Sequence, residues 1–233
     1  MDYLPSIAAV LAAYLIGSLS FAVIVSRMMG LSDPRNYGSR NPGATNVLRS
    51  GNRKAAVLTL AFDVLKGYGP VLLAVLFGAR FGLGETSVAL VGLAAFLGHL
   101  WPVFFRFQGG KGVATAAGAL LALNPGLGAA TLLSWAIVAA FSRYSSLASI
   151  VAAVFAPFYQ LLIWGPEPAL WAVVPMSALL IWRHEANIRK LLTGTESKLG
   201  AKADAAPGAK LPPNTPKHPH RHARPHGQRK GHK

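Results

Sequence analysis

The chain has no cysteine, which excludes disulfides, thiolate nucleophiles and thiolate-ligated metals. It is also poor in charge: charged residues make up 13% and hydrophobic ones 52%, a balance too apolar for a soluble domain of this length. No internal repeat is visible, so an architecture of inverted repeats gains no support. The first apolar segment lacks a basic leader, with only Asp2 among the residues before it, and therefore reads as an anchor rather than a cleaved signal.

What the chain does have is a series of apolar stretches close to the ~20 residues needed to cross ~30 Å of hydrocarbon as helix. Seven are read: 4–26, 55–77, 86–105, 113–123, 126–141, 146–163 and 168–183. The fourth and fifth are short and meet at Asn124-Pro125-Gly126, so six spans with one re-entrant segment is the rival count. The net charge of +15 is placed on one side of this pattern. Arg27, Arg35, Arg40, Arg49, Arg53 and Lys54 lie in the first loop; Arg106, Lys111, Arg143 and everything from Arg183 onward fall on the same side, against Arg80 alone on the other. The excess of positive charge in cytoplasmic loops predicts an all-α integral membrane protein with seven transmembrane helices, N-terminus outside and C-terminus in the cytoplasm.

The composition divides the chain at 200. Residues 1–200 form the polytopic membrane unit, while 201–233 are rich in Pro, Lys, Arg and His and nearly free of large apolar groups. The tail is expected to be disordered, since it cannot bury enough surface to offset its ordering entropy. It reads as a solvated segment drawn to anionic lipid rather than as a site for metal or nucleic acid.

Three polar segments share the basic face. Gly109-Gly110-Lys111-Gly112 opens the fourth apolar run. Glycines let backbone N–H groups approach one anion, the lysine adds a mobile charge, and a helix N-terminus favours anions as well. It is not a nucleotide-hydrolase P-loop, because Gly112 follows the lysine where Ser or Thr belongs. This segment predicts a phosphate held where lipid meets water. In the first loop, Gly38-Ser39-Arg40-Asn41-Pro42-Gly43-Ala44-Thr45-Asn46-Val47-Leu48-Arg49 collects hydrogen-bonding side chains beside an arginine able to clamp a phosphate. At the end of the last apolar run, His184 and Asn187 are three apart and share a helical face, while Glu185 and Arg189 form an i,i+4 pair. No second histidine follows in zinc-protease spacing, so no metal is implied.

Two further features lie nearby. Asp63 and Lys66 sit inside the second apolar run, three apart, and are expected to face protein and pair as a structural element. Ser146 and Ser149, in Tyr144-Ser145-Ser146-Leu147-Ala148-Ser149, either lean into the same site or cap a helix.

Taken together, GSRNPGATNVLR, GHLWPVFFRFQGGKGVAT and HEANIRKLL resemble the three cytoplasmic motifs of the bacterial acyl-phosphate:glycerol-3-phosphate acyltransferases. The resemblance spans roughly residues 4–200; DVLKG and RYSSLAS also look like family features. Arg40 departs from the glycine more usual at its position in the first motif. The resemblance implies a cofactor-free enzyme of the bacterial cytoplasmic (inner) membrane, its active site facing the cytoplasm. It would transfer a fatty acyl group from acyl phosphate to the 1-hydroxyl of glycerol 3-phosphate, giving lysophosphatidate and phosphate, the first step of phospholipid synthesis. A functional link to the enzyme that makes acyl phosphate is compatible with the same resemblance, and the sequence does not decide it. Ser39, Arg49, Lys111, His184 and Asn187 would form the active centre. Asn41, Thr45, Asn46, Gly109, Gly110, Gly112 and Ser149 would bind substrate, with Asp63, Lys66, His99 and Glu185 in support. Whether His184 or a substrate phosphate oxygen takes the proton stays open at this point.

Two rivals remain. The soluble-type glycerolipid acyltransferases place an aspartate five positions after a histidine, but Phe104 follows His99 and Arg189 follows His184 at that distance. An anion transporter would use the same basic vestibule, yet the opposite face offers little beyond Arg80, Glu85, Asn124 and Glu167.

Overall fold

A computed structural model describes residues 3–201. The expected disordered tail lies, beyond Ala201, outside the described residues. Among the described residues the regular structure is helical, in ten α-helices: α1 Leu4–Gly17, α2 Phe21–Met28, α3 Ala44–Leu48, α4 Arg53–Phe77, α5 Glu85–Leu100, α6 Val113–Leu123, α7 Pro125–Ser142, α8 Ser145–Tyr159, α9 Leu170–Arg183 and α10 Glu185–Leu192. Each of the seven apolar stretches coincides with one of these, or in the first case with a pair.

That pair is the main departure from the reading of 4–26 as one helix. α1 and α2 are bent by 42° at Ser18–Ser20. A broken helix in hydrocarbon exposes carbonyls that water cannot satisfy. Here Ser18 Oγ donates to Tyr14 O (2.8 Å) and the Lys66 ammonium donates to Leu19 O (2.7 Å). Among the described residues, length and composition qualify four helices as membrane spans, or five with the bent pair taken as one. α6 and α9, at 11 and 14 residues, are shorter than the ~20 needed to cross alone.

Asparagine caps set two helix starts. Asn52 Oδ1 accepts from Ala55 N–H at 3.0 Å, and Asn124 Oδ1 accepts from Leu127 N–H at 3.1 Å. With Pro125 in the first turn of α7, the second cap separates α6 from α7 at the place the sequence marks.

Two helix pairs cross at backbone contact, as small residues permit in membranes. A Cβ on Gly67 of α4 would lie 2.1 Å from Thr115 O of α6, and one on Gly118 of α6 would lie 2.1 Å from Val64 O of α4. Gly17 of α1 and Gly98 of α5 make the same reciprocal contact with Ala95 O (2.1 Å) and Tyr14 O (2.3 Å). Around these crossings an alanine-rich core closes on Phe96, Leu100, Val71 and Val91. The outer faces keep large apolar side chains exposed, such as Leu73 and Phe141, as a lipid-facing surface requires. The same bundle leaves a cleft between α4, α6, α7, α8 and α9, and the polar loops gather at one end of it.

Candidate active site

Loop one is held in shape from within. The buried Asn46 amide donates to Pro34 O (2.7 Å) and Tyr37 O (3.2 Å), and its Oδ1 accepts from Ser39 N–H (3.0 Å). Both amide N–H donors are taken up by the loop, so Asn46 braces it, while the residue also lines the cavity. Gly38, at φ +56°, leaves room for that amide: a Cβ there would be 2.4 Å from Asn46 Oδ1. Arg40 also lies in the left-handed region, at φ 57°. The chain therefore keeps the backbone shape that a glycine would favour, at a cost of about 1–2 kcal/mol for an L side chain. The short α3 then carries Thr45 and, at its C-cap, Arg49 to the cleft.

Loop three departs from the expected open nest. Gly109 and Gly110 are buried and do not line the cleft. A Cβ on Gly109 would meet His99 O at 2.1 Å, and one on Gly110 would meet His99 Nε2 at 2.2 Å. The Gly110 N–H donates to His99 O (3.1 Å). These two glycines serve close packing on the end of α5, whereas Gly112 (φ +86°) and Lys111 reach the cleft.

The third element is the α9–α10 junction. His184 is buried, and its Nδ1 faces Leu180 O at 2.8 Å. A carbonyl only accepts, so Nδ1 carries the proton and Nε2 keeps its lone pair. Burial, reinforced by the Lys111 charge, holds His184 down at about 4, so the ring is neutral near pH 7. Lys111 Nζ donates to Asn187 Oδ1, and Asn187 Nδ2 donates to Glu196 Oε1 (2.8 Å). Because one neighbour only donates and the other only accepts, the orientation of the Asn187 amide is fixed. Burial also holds Lys111 down at about 8; Glu196 opposes the shift, and Arg183, Lys190 and Arg49 add to it.

These side chains converge on one cavity of about 690 Å³. Its polar end is lined by Ser39, Arg49, Lys111, His184 and Asn187, the five residues expected at the centre. Asn41, Thr45, Asn46, Gly112 and Ser149 share that lining. Much of the remainder is apolar, with Leu60, Val64, Leu120, Leu132, Ala156 and Val173 among its lining. Leu120, Ala156 and Val173 of this lining belong to a buried apolar cluster with Leu127, against which Tyr159 and Trp164 pack.

The supporting residues are placed as follows. Asp63 and Lys66 form a buried ion pair at 2.8 Å, with His99 Nδ1 3.7 Å from the same carboxylate oxygen. Asp63 and His99 reach the cavity wall; Lys66 does not. Glu185 turns away, paired with Arg189 on the exposed face at 2.5 Å. Ser149 donates to Ser145 O (2.8 Å) and accepts from Trp135 Nε1 (3.1 Å), tying α7 to α8.

Two residues in the site were not anticipated. Glu196 accepts from both Asn187 and Ser146 Oγ (2.9 Å) on a segment that folds back after α10, where Leu199 N–H donates to Arg143 O (2.7 Å). Its signal in the sequence was its rarity, as one of 8 acidic residues. Arg183 donates to the carbonyls of Gly109 and Gly110, a contact that spacing alone does not reveal.

Comparison with known proteins identifies the family of the chain. The profile of the family "Glycerol-3-phosphate acyltransferase" matches residues 7–194. A glycerol-3-phosphate acyltransferase of Paraburkholderia phytofirmans is 66% identical over 196 residues, covering 83% of this chain and 92% of its own. One of Paraburkholderia xenovorans is 65% identical over 196 residues, with the same coverage. Crystal structures of PlsY (YgiH), an integral membrane glycerol 3-phosphate acyltransferase, superpose with TM-scores of 0.78 for its glycerol 3-phosphate form and 0.76 for its lysophosphatidic acid form. Sequence identities are 41% and 40%, and each covers 83% of this chain and 95% of the other. The chain belongs to the glycerol-3-phosphate acyltransferase family and is a multi-pass, helical integral membrane enzyme.

Proposed function

We propose that the enzyme takes its acyl group from acyl phosphate and passes it to the 1-hydroxyl of glycerol 3-phosphate, releasing lysophosphatidate and inorganic phosphate. One observation carries the reading: polar side chains from three loops meet in a cavity whose remaining lining is largely apolar. That shape suits a ligand with an anionic head and a long hydrocarbon tail.

Arg49 and Lys111 neutralise substrate phosphates, and Ser39, Thr45 and Asn41 supply further hydrogen bonds at the mouth. The glycerol hydroxyl oxygen attacks the acyl carbon, the carbon–oxygen bond to phosphate breaks, and phosphate leaves with the electron pair. The Lys111 ammonium and the first N–H groups of α6 oppose the negative charge that develops on the acyl oxygen. The hydroxyl proton has two possible acceptors. Burial and the Lys111 charge depress His184 as a base, which favours a substrate phosphate oxygen in that role. On this reading the phosphate takes the proton, and His184 Nε2 with Asn187 orients the glycerol. Glu196 holds Asn187 in place.

The seven apolar segments cross or enter the membrane in alternation, with the N-terminus outside and the site facing the cytoplasm. The placement of basic residues supports this arrangement. Purified protein in nanodiscs, given glycerol 3-phosphate and either acyl phosphate or acyl-CoA, tests the donor. Lysophosphatidate detected by mass spectrometry with acyl phosphate alone is the expected result. Turnover with acyl-CoA and none with acyl phosphate would reject it.

A further inference from the structure

Arg183 has no place in the chemistry just described, yet it touches the segment that carries Lys111. Its Nη2 donates to Gly109 O (2.9 Å) and its Nε to Gly110 O (3.2 Å). The guanidinium also lies 6.0 Å from the Trp182 ring centroid, and Trp182 packs at 6.2 Å on Trp101 at the end of α5. Trp101 O in turn accepts from Tyr14 OH (2.7 Å). The end of α9 is thus tied to the end of α5 through the glycines between α5 and α6.

We infer that Arg183 is the positioning residue for Lys111: by holding two consecutive carbonyls it sets the direction in which the loop presents its lysine to the cavity. In a planar trans peptide the C=O and N–H point opposite ways. With Gly110 O drawn to Arg183, the Lys111 N–H points away from it. The preceding peptide is fixed on both edges, with Gly109 O on Arg183 and Gly110 N–H on His99 O (3.1 Å). Two glycines have unusual freedom, and a bare Gly-Gly pair would leave the lysine loosely aimed. Arginine's fork reaches two carbonyls at once, whereas a lysine would reach them only as a point donor. The cost of placing this guanidinium beside Lys111 is cation–cation repulsion, which a purely structural tie could have avoided with a neutral donor. In a site built for phosphates, that second positive charge is tolerable.

The inference rests on the proposed phosphate-binding role of Lys111, and the experiment separates the two. Binding of glycerol 3-phosphate to the full chain in nanodiscs is measured calorimetrically for wild type, Arg183→Gln, Lys111→Ala and the double variant, with thermal stability recorded for each. Arg183→Gln is expected to weaken binding roughly tenfold or more, the scale of losing hydrogen bonds from a charged donor. The double variant should bind no more weakly than Lys111→Ala, because Arg183 acts through the lysine. Arg183→Lys should fall between wild type and Arg183→Gln, and it carries the same cycle should Arg183→Gln not insert. Multiplying effects in the double variant, or wild-type binding by Arg183→Gln, overturn the positioning role. Unchanged binding by Lys111→Ala overturns the reading of the lysine itself, and with it this inference.

Discussion

Raising the pH removes the Lys111 charge without altering any covalent structure. Burial holds this lysine down at about 8, with neighbouring cations adding to the shift and Glu196 opposing it. A base whose value is lowered keeps its proton below that value and loses it as pH rises through it. At pH 7 about nine in ten sites are protonated, and at pH 9 about one in ten. The catalytic efficiency for glycerol 3-phosphate should therefore drop roughly tenfold from pH 7 to 9, equivalent to about 1.4 kcal/mol of transition-state stabilisation. The other groups at the site leave this limb clean. His184, at about 4, is neutral throughout, and a substrate phosphate, with its second ionisation near 6, keeps a constant charge above pH 7.5. The assay is incorporation of labelled glycerol 3-phosphate at subsaturating concentration from pH 6.5 to 9.5. Whatever activity Lys111→Arg retains should not show the decline, since a guanidinium does not titrate there. A wild-type profile flat to pH 9.5, or an equal fall in Lys111→Arg, would refute the assignment of the charge to Lys111.

Other perturbations have defined outcomes. Lys66→Met leaves Asp63 buried without its partner, a change worth about 3–5 kcal/mol, and should lower the melting temperature by roughly 6–20 °C. Adding Asp63→Asn should recover part of that loss; a thermal scan showing a further additive loss would contradict the pairing. Ala156→Phe fills part of the apolar lining of the cavity and should shift preference toward shorter acyl phosphates, read from competing chain lengths in one mixture. An unchanged length profile would mean that the acyl tail lies elsewhere. Arg40→Gly should be neutral or raise the melting temperature, because φ 57° suits glycine better than arginine.

Features governed by local chemistry were legible in the sequence. The Asp63–Lys66 pair follows from i,i+3 spacing in an apolar helix, and the α6–α7 boundary follows from Asn124-Pro125. The three polar segments could be assigned to one face because basic residues mark that face. What the sequence did not reveal depends on contacts between distant residues. The break between α1 and α2 is stabilised by Lys66, 47 residues further along the chain. Gly109 and Gly110 looked like a nest for anions, but the same lack of a side chain also permits packing on His99, and only the position of α5 decides between them. The bracing of loop one by the Asn46 N–H groups on Pro34 O and Tyr37 O is likewise a contact that spacing does not encode. Glu196 joins the site because the chain folds back after α10, a turn that apolar periodicity does not encode.

The most direct test of the account is phosphate release by detergent-purified protein given acyl phosphate, with and without glycerol 3-phosphate, for wild type and Lys111→Ala. The account predicts release that requires both substrates, matches lysophosphatidate formation mole for mole, and collapses in the variant. Release that is independent of glycerol 3-phosphate, or undiminished by the substitution, would contradict it.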